Sequence, residues 1–82
     1  MTRDEIRTAV LEALTSVAPE IDPAQVQPGT VFRQEFDLDS MDFLNFVIAL
    51  HGSLGVNVPE ADYTQLATLD GAIDYLASRL SG

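Results

Sequence analysis

The chain is expected to be all-α: a four-helix bundle with three long helices and one short. Three observations point there. Apolar residues recur at the i, i+3, i+4, i+7 spacing of a helix in three separate stretches. Each of those stretches opens on a residue suited to cap a helix, Thr2, Asp39 and Thr68. No stretch shows the strict apolar and polar alternation of a half-buried strand.

The first helix is read over residues 3–17. Thr2 and Glu5 form a capping box around its first turn. Ile6, Val10, Leu14 and Val17, with Ala9 and Ala13 beside them, make its core stripe, and Pro19 stops it. Residues 18–38 form a long connection in which Pro19, Pro23, Pro28 and Gly29 discourage a continuous helix. Connections of that length in a small domain are functional or pinned by their own side chains. Ile21, Val26, Val31, Phe32 and Phe36 are the expected pins.

The central helix follows. Asp39 caps it, Ser40 is its first residue and Asp42 lies in its first turn, where acids favour the helix dipole. Phe43, Phe46, Val47, Leu50 and Leu54 share one face. Met41, Leu44 and Ile48 form a second stripe, rotated by roughly 150° at about 100° per residue. A helix in a small domain seldom buries two opposite faces, so the second stripe is expected to be exposed and to meet a partner. Gly52 and Gly55 flank the helix end near residue 54. Pro59 then opens a short helix through about Leu66, with Tyr63 and Leu66 buried. Thr68 caps the last helix, whose core positions are Leu69, Ala72, Ile73, Leu76 and Leu80; Tyr75 is expected to be half-buried, and Ser81–Gly82 to fray.

Eighty-two residues suit one domain, residues 1–82. The net charge of −9, from thirteen acids and four arginines without lysine, repels nucleic acid and anionic membranes. It attracts basic protein surfaces. No apolar run approaches membrane-spanning length, and the N-terminus lacks a signal-peptide pattern. A cytoplasmic location is therefore expected.

The residues argue against an enzyme. His51 stands eleven positions after Ser40 and points toward neither it nor a carboxylate cluster, so no triad forms. Gly52–Ser53–Leu54–Gly55 is not a nucleophile elbow. His51 reads as a solvent-facing helix-end residue. Asp37, Asp39 and Asp42 fail the EF-hand pattern, because Met41 takes a ligand position and no glycine or terminal glutamate follows at the right spacing. No specific metal site is expected. Ser40 at a helix N-terminus could be a cap residue, a phosphorylation site or an attachment point, since the dipole favours a phosphate there.

Leu38–Asp39–Ser40–Met41 resembles the D-S-L motif of acyl carrier proteins, with Met41 in place of leucine. The likeness extends over nearly the whole chain, through Thr30–Val31–Phe32, Phe46–Val47–Ile48–Ala49–Leu50, Val58–Pro59–Glu60 and Leu69–Asp70–Gly71–Ala72–Ile73–Asp74–Tyr75–Leu76. The resemblance implies the acyl-carrier type of bundle. It implies that Ser40 receives 4′-phosphopantetheine from coenzyme A, as a phosphodiester made by a phosphopantetheinyl transferase. The terminal thiol of that arm then holds acyl groups as thioesters, which suits a chain without cysteine. Met41, Leu44 and Ile48 fall where the family's partner-recognition face lies. Glu35, Asp37, Asp39 and Asp42 would meet basic surfaces of acyl-loading and acyl-transferring enzymes. The implied carrier is a monomer that performs no reaction itself.

Two departures stand out. Asp37 occupies a position where the family often has glycine, and aspartate tolerates the left-handed backbone a glycine would serve. The later part of the central helix carries Asn45, His51, Gly52 and Ser53 where fatty-acid carriers are strongly acidic. A carrier for a specialised polyketide-like, lipid-modifying or aminoacyl pathway is the expectation. A housekeeping fatty-acid carrier is the alternative within the class, and an unmodified acidic helical adaptor the alternative outside it.

Overall fold

The computed structural model describes residues 1–81 and the side chains of 1–80. Its first helix, α1, runs Arg3–Val17. A one-turn helix, α2, covers Phe32–Glu35; α3 spans Ser40–Leu54 and α4 spans Leu69–Ser81. A seven-residue 3-10 segment, Glu60–Leu66, is the short helix expected after Pro59. The three long helices and the short one thus stand where periodicity put them, and α1 and α3 have the bounds expected for them.

Local chemistry explains the helix starts. The Thr2 hydroxyl accepts from the Glu5 amide at 3.2 Å while Glu5 Oε1 accepts from the Thr2 amide at 2.8 Å. Hydrogen bonding from Thr2 to the carboxylate, first from its backbone amide, holds the Glu5 carboxyl below its ordinary pKa of 4.5. At α4, the Thr68 hydroxyl accepts from the Gly71 amide at 3.0 Å. A Cβ at Gly71 would lie 2.8 Å from the Gln65 carbonyl oxygen, so glycine permits the close approach of the 3-10 segment to α4. At the end of α3, Gly55 takes the left-handed conformation, φ 70°, and its amide donates to the His51 carbonyl at 2.8 Å.

Helix α1 packs along both α3 and α4, and the 3-10 segment rests on α4. Two partners explain why α1 buries a stripe wide enough to include Leu11 as well as Ile6, Ala9, Val10, Ala13 and Leu14. Phe32, Phe46, Leu14, Leu50, Leu66 and Leu76 are fully enclosed. Phe32 meets Phe46 edge-on at 5.5 Å between centroids, which ties the long connection to α3.

Several expectations need correction. Residues 18–38 carry no continuous helix, as expected, but hold two short elements that the sequence did not mark: Asp22 caps a 3-10 turn at Pro23–Gln25, and α2 follows. Val31 is not an apolar pin, being 36% exposed. It acts through its backbone, in an isolated antiparallel bridge with Thr68. Beside it, the Phe32 amide donates to the Ala67 carbonyl at 2.9 Å and the Asp70 amide to the Pro28 carbonyl at 3.0 Å. Tyr75 is buried rather than half-buried, because its hydroxyl finds Asp62 at 2.7 Å. Tyr63 is only half-buried, as are Phe36 and the stripe-end residues Val17, Leu54 and Leu80, where neighbouring helices no longer cover them. Ser81 is the last helical residue; the expected fraying at Gly82 falls outside the described residues.

Candidate functional site

The site is built at the head of α3. Asp39 Oδ1 accepts from the Asp42 amide at 2.8 Å, and Asp42 Oδ2 accepts from the Asp39 amide at 3.4 Å. This second capping box makes structural use of two residues read first as partner-recognition acids. Leu38 before the cap and Phe43 after the first turn are both buried in the same core cluster, the arrangement of a hydrophobic staple. Cap and staple together fix the angle at which the chain enters α3. They leave Ser40, the first helical residue, exposed to solvent.

The turn before α3 is equally determined. Asp37 has φ 53° and is the one non-glycine residue with positive φ among those described. The Leu38 amide donates back to the Arg33 carbonyl at 3.1 Å. This is the Schellman end of α2, which calls for a left-handed residue at the position Asp37 fills. Aspartate tolerates that left-handed backbone, as anticipated.

Arg33 is the residue that sequence reasoning missed. It lies on α2, and its Nη2 donates to Ser40 Oγ at 3.4 Å. Its guanidinium lies 5.9 Å from the centre of the Phe43 ring. The only signal available in the sequence was that Arg33 is the sole basic residue between Arg7 and His51.

Beside Ser40 runs an open groove of about 570 Å³ between the head of α3, Val31–Arg33 and the 3-10 segment. Met41, Phe43, Leu44 and Tyr63 line it with apolar surface, and Glu60 and Thr64 edge it. The second stripe of α3 therefore divides. Met41 is 63% exposed at the groove mouth and Ile48 is 57% exposed further along the helix. Leu44 is half-buried, because it leans on the groove that the 3-10 segment closes from the far side. Glu35, Asp37 and Asp39 are exposed around this head, and Asp42 is half-buried through its cap bond. His51 is exposed at the end of α3, as expected, with Nδ1 3.3 Å from the Val56 carbonyl oxygen. Among the described residues no three histidine or carboxylate side chains converge as metal ligands, and no helix is long and apolar enough to cross a membrane.

The geometry fits a covalently attached phosphate-linked arm. The Ser40 hydroxyl is open, a cation lies against it, and the free amides of the first helical turn favour an anion. The adjoining groove offers apolar surface to whatever the arm carries. Fold and site together suit a small helical carrier.

Comparison with known proteins agrees. The family model for the phosphopantetheine attachment site matches residues 5–76. An acyl carrier protein of Acidothermus cellulolyticus is 32% identical over 78 residues, covering 95% of this chain and 92% of that one. An acyl carrier protein of Rubrobacter xylanophilus is 28% identical, covering 93% of each. The solution structure of a candidate acyl carrier protein from Anaplasma phagocytophilum superposes with a TM-score of 0.84 at 26% identity, covering 96% of this chain and 92% of that one. The chain belongs to the acyl carrier protein family. Its cofactor is accordingly a covalent 4′-phosphopantetheine, and the proteins it meets are a phosphopantetheinyl transferase and acyl-handling enzymes.

Proposed function

We propose that Ser40 is the attachment residue and that the chain is a monomeric, single-domain, cytoplasmic carrier serving a specialised acyl pathway. The observation that carries the Ser40 assignment is its exposed hydroxyl at the head of α3, under the Arg33 guanidinium and beside the apolar groove. Transfer forms the bond from Ser40 Oγ to the pantetheine-side phosphorus and breaks the pyrophosphate bond of coenzyme A, and adenosine 3′,5′-bisphosphate leaves with the bridging oxygen. The hydroxyl proton leaves to a base on the transferase. The thiol at the arm's far end then bears the acyl group, and tethering raises its effective concentration at each partner.

Met41, Leu44 and Ile48 supply apolar contact with partner enzymes, and Glu35, Asp37, Asp39 and Asp42 set encounter rate and register with their basic surfaces. The specialised assignment is supported by the exposed neutral positions Asn45, Gly52 and Ser53, with His51, along the later part of α3. These remove the negative charge that a strongly acidic carrier would present to its enzymes.

Intact mass after incubation with coenzyme A and a broad-specificity phosphopantetheinyl transferase tests the attachment. The wild type gains one phosphopantetheine and Ser40→Ala gains none. An unmodified wild type would mean an acidic adaptor that keeps the fold, and a modified Ser40→Ala would move the site elsewhere. Turnover with housekeeping condensing enzymes tests the pathway. A rate equal to that of a strongly acidic carrier would return the protein to housekeeping fatty-acid synthesis.

A further inference from the structure

We infer that Arg33 is a positioning residue for the arm: its guanidinium pairs with the phosphodiester formed at Ser40 and holds the arm's root toward the groove. This rests on the assignment of Ser40 as the attachment residue. The acids nearest the attachment point in sequence are Glu35, Asp37, Asp39 and Asp42, and Glu60 edges the groove. A phosphodiester adds one more negative charge among them, which the amides at the head of α3 offset only in part. Arg33 is the one cation in contact with Ser40, and among the described residues it makes no ion pair with any carboxylate.

The contacts Arg33 does make leave it underused. Its hydrogen bond to the Ser40 hydroxyl, 3.4 Å, is longer than the 2.7–3.2 Å usual for such bonds. Its separation from the Phe43 ring, 5.9 Å, stands near the outer limit for cation–π attraction. Its remaining N–H donors have no protein acceptor among the described residues. A guanidinium is a planar fork suited to two phosphate oxygens at once. Esterification places such oxygens on the phosphorus bonded to Ser40 Oγ, within reach of the donor already 3.4 Å from that atom. The backbone beneath Arg33 is held in place, since its carbonyl accepts the Leu38 amide and the neighbouring Phe32 is fully buried. The same residue lines the groove along with Ser40, so pairing at the phosphate sets the arm's first bonds on the groove side.

The test compares apo and holo forms of the full chain, each verified by intact mass, for wild type and Arg33→Met. Methionine keeps an apolar stem against Phe43 and removes the charge. Losses that Arg33→Met causes through packing alone appear equally in apo and holo forms and cancel in the difference. The holo-minus-apo difference in Tm should be lower in the variant than in wild type by about 2–5 °C at low salt. The phosphodiester ³¹P resonance should move as well. In 1 M salt the wild-type difference should approach that of the variant. Arg33→Lys, a point charge without the fork, should fall between. An identical holo-minus-apo difference and an unmoved ³¹P resonance in Arg33→Met would overturn the pairing. Should Arg33→Met not fold, Arg33→Gln is read in the same way. A wild type that gains no mass would instead overturn the Ser40 assignment, which separates the two failures.

Discussion

Asp62 joins the wall of the groove to the body of the bundle, and removing it gives the sharpest test of how that wall is held. Its Oδ2 accepts from the Tyr75 hydroxyl at 2.7 Å and from Arg79 Nη2 at 2.9 Å. The Arg79 guanidinium also lies over the Tyr75 ring at 4.8 Å. One carboxylate on the 3-10 segment is thus bonded to two side chains of α4. A hydrogen bond to a charged acceptor contributes about 1.5 kcal/mol or more. The Arg79 pair is half exposed, with 46% and 24% of the two side chains accessible, so solvent screening reduces it to about 0.5 kcal/mol. Asp62→Ala should therefore cost about 2 kcal/mol, which for a chain of this size lowers Tm by about 10 °C. Asp62→Asn keeps an acceptor for Tyr75 and loses the charge, so it should cost about half as much. Thermal and urea unfolding at low and high salt measure both. Added salt should remove the Arg79 share and leave the Tyr75 share. An Asp62→Ala midpoint within about 2 °C of wild type would refute the reasoning, because it would mean that water replaces both bonds at no cost.

Other expectations are simpler. Leu50 is fully buried between α3 and its neighbours, so Leu50→Ala should lose about 2–5 kcal/mol in urea unfolding. Ile48→Ala should stay within about 0.5 kcal/mol of wild type and slow acyl transfer by partner enzymes, whereas Leu44→Ala, half-buried, should also cost about 1 kcal/mol. Burial and the bond to Asp62 raise the Tyr75 hydroxyl above its ordinary pKa of 10.0. Its protonated form is therefore the one the fold favours. That stability is complete below pH 10.0 and disappears as pH rises through the folded-state value, and Tyr75→Phe should flatten this alkaline loss in a Tm series.

Much of the architecture was legible in the sequence because its causes are local. Thr2 with Glu5, Asp39 before Ser40, and the 3.6-residue recurrence of apolar positions act within one or two helical turns. Helices α1 and α3 accordingly begin and end where those signals stand. The exposed place of Ser40 follows from the same local arithmetic, since a first-turn residue one position past its cap lies off the core stripe. The left-handed backbone at Asp37 was readable too, from the tolerance of aspartate for that region.

The rest depends on how distant parts of the chain meet. Arg33 stands seven residues before Ser40 on a turn with no periodicity to orient it, and only the path through Phe32, Asp37 and Leu38 brings its guanidinium to the hydroxyl. Val31 looked like a buried anchor, yet pairing with Thr68, far along the chain, turned its side chain outward and used its backbone instead. Leu44 shares a stripe with Met41 and Ile48, but the 3-10 segment shelters it and leaves its neighbours bare. Tyr75 could be buried because Asp62 comes within reach of its hydroxyl. Sequence by itself determined the helices and the open serine, whose causes lie within a turn or two of chain. Only tertiary structure decided the groove, the cation at its edge and the wall opposite, because those are made by packing between segments far apart in sequence, and local periodicity carries no information about which distant partner a face will find.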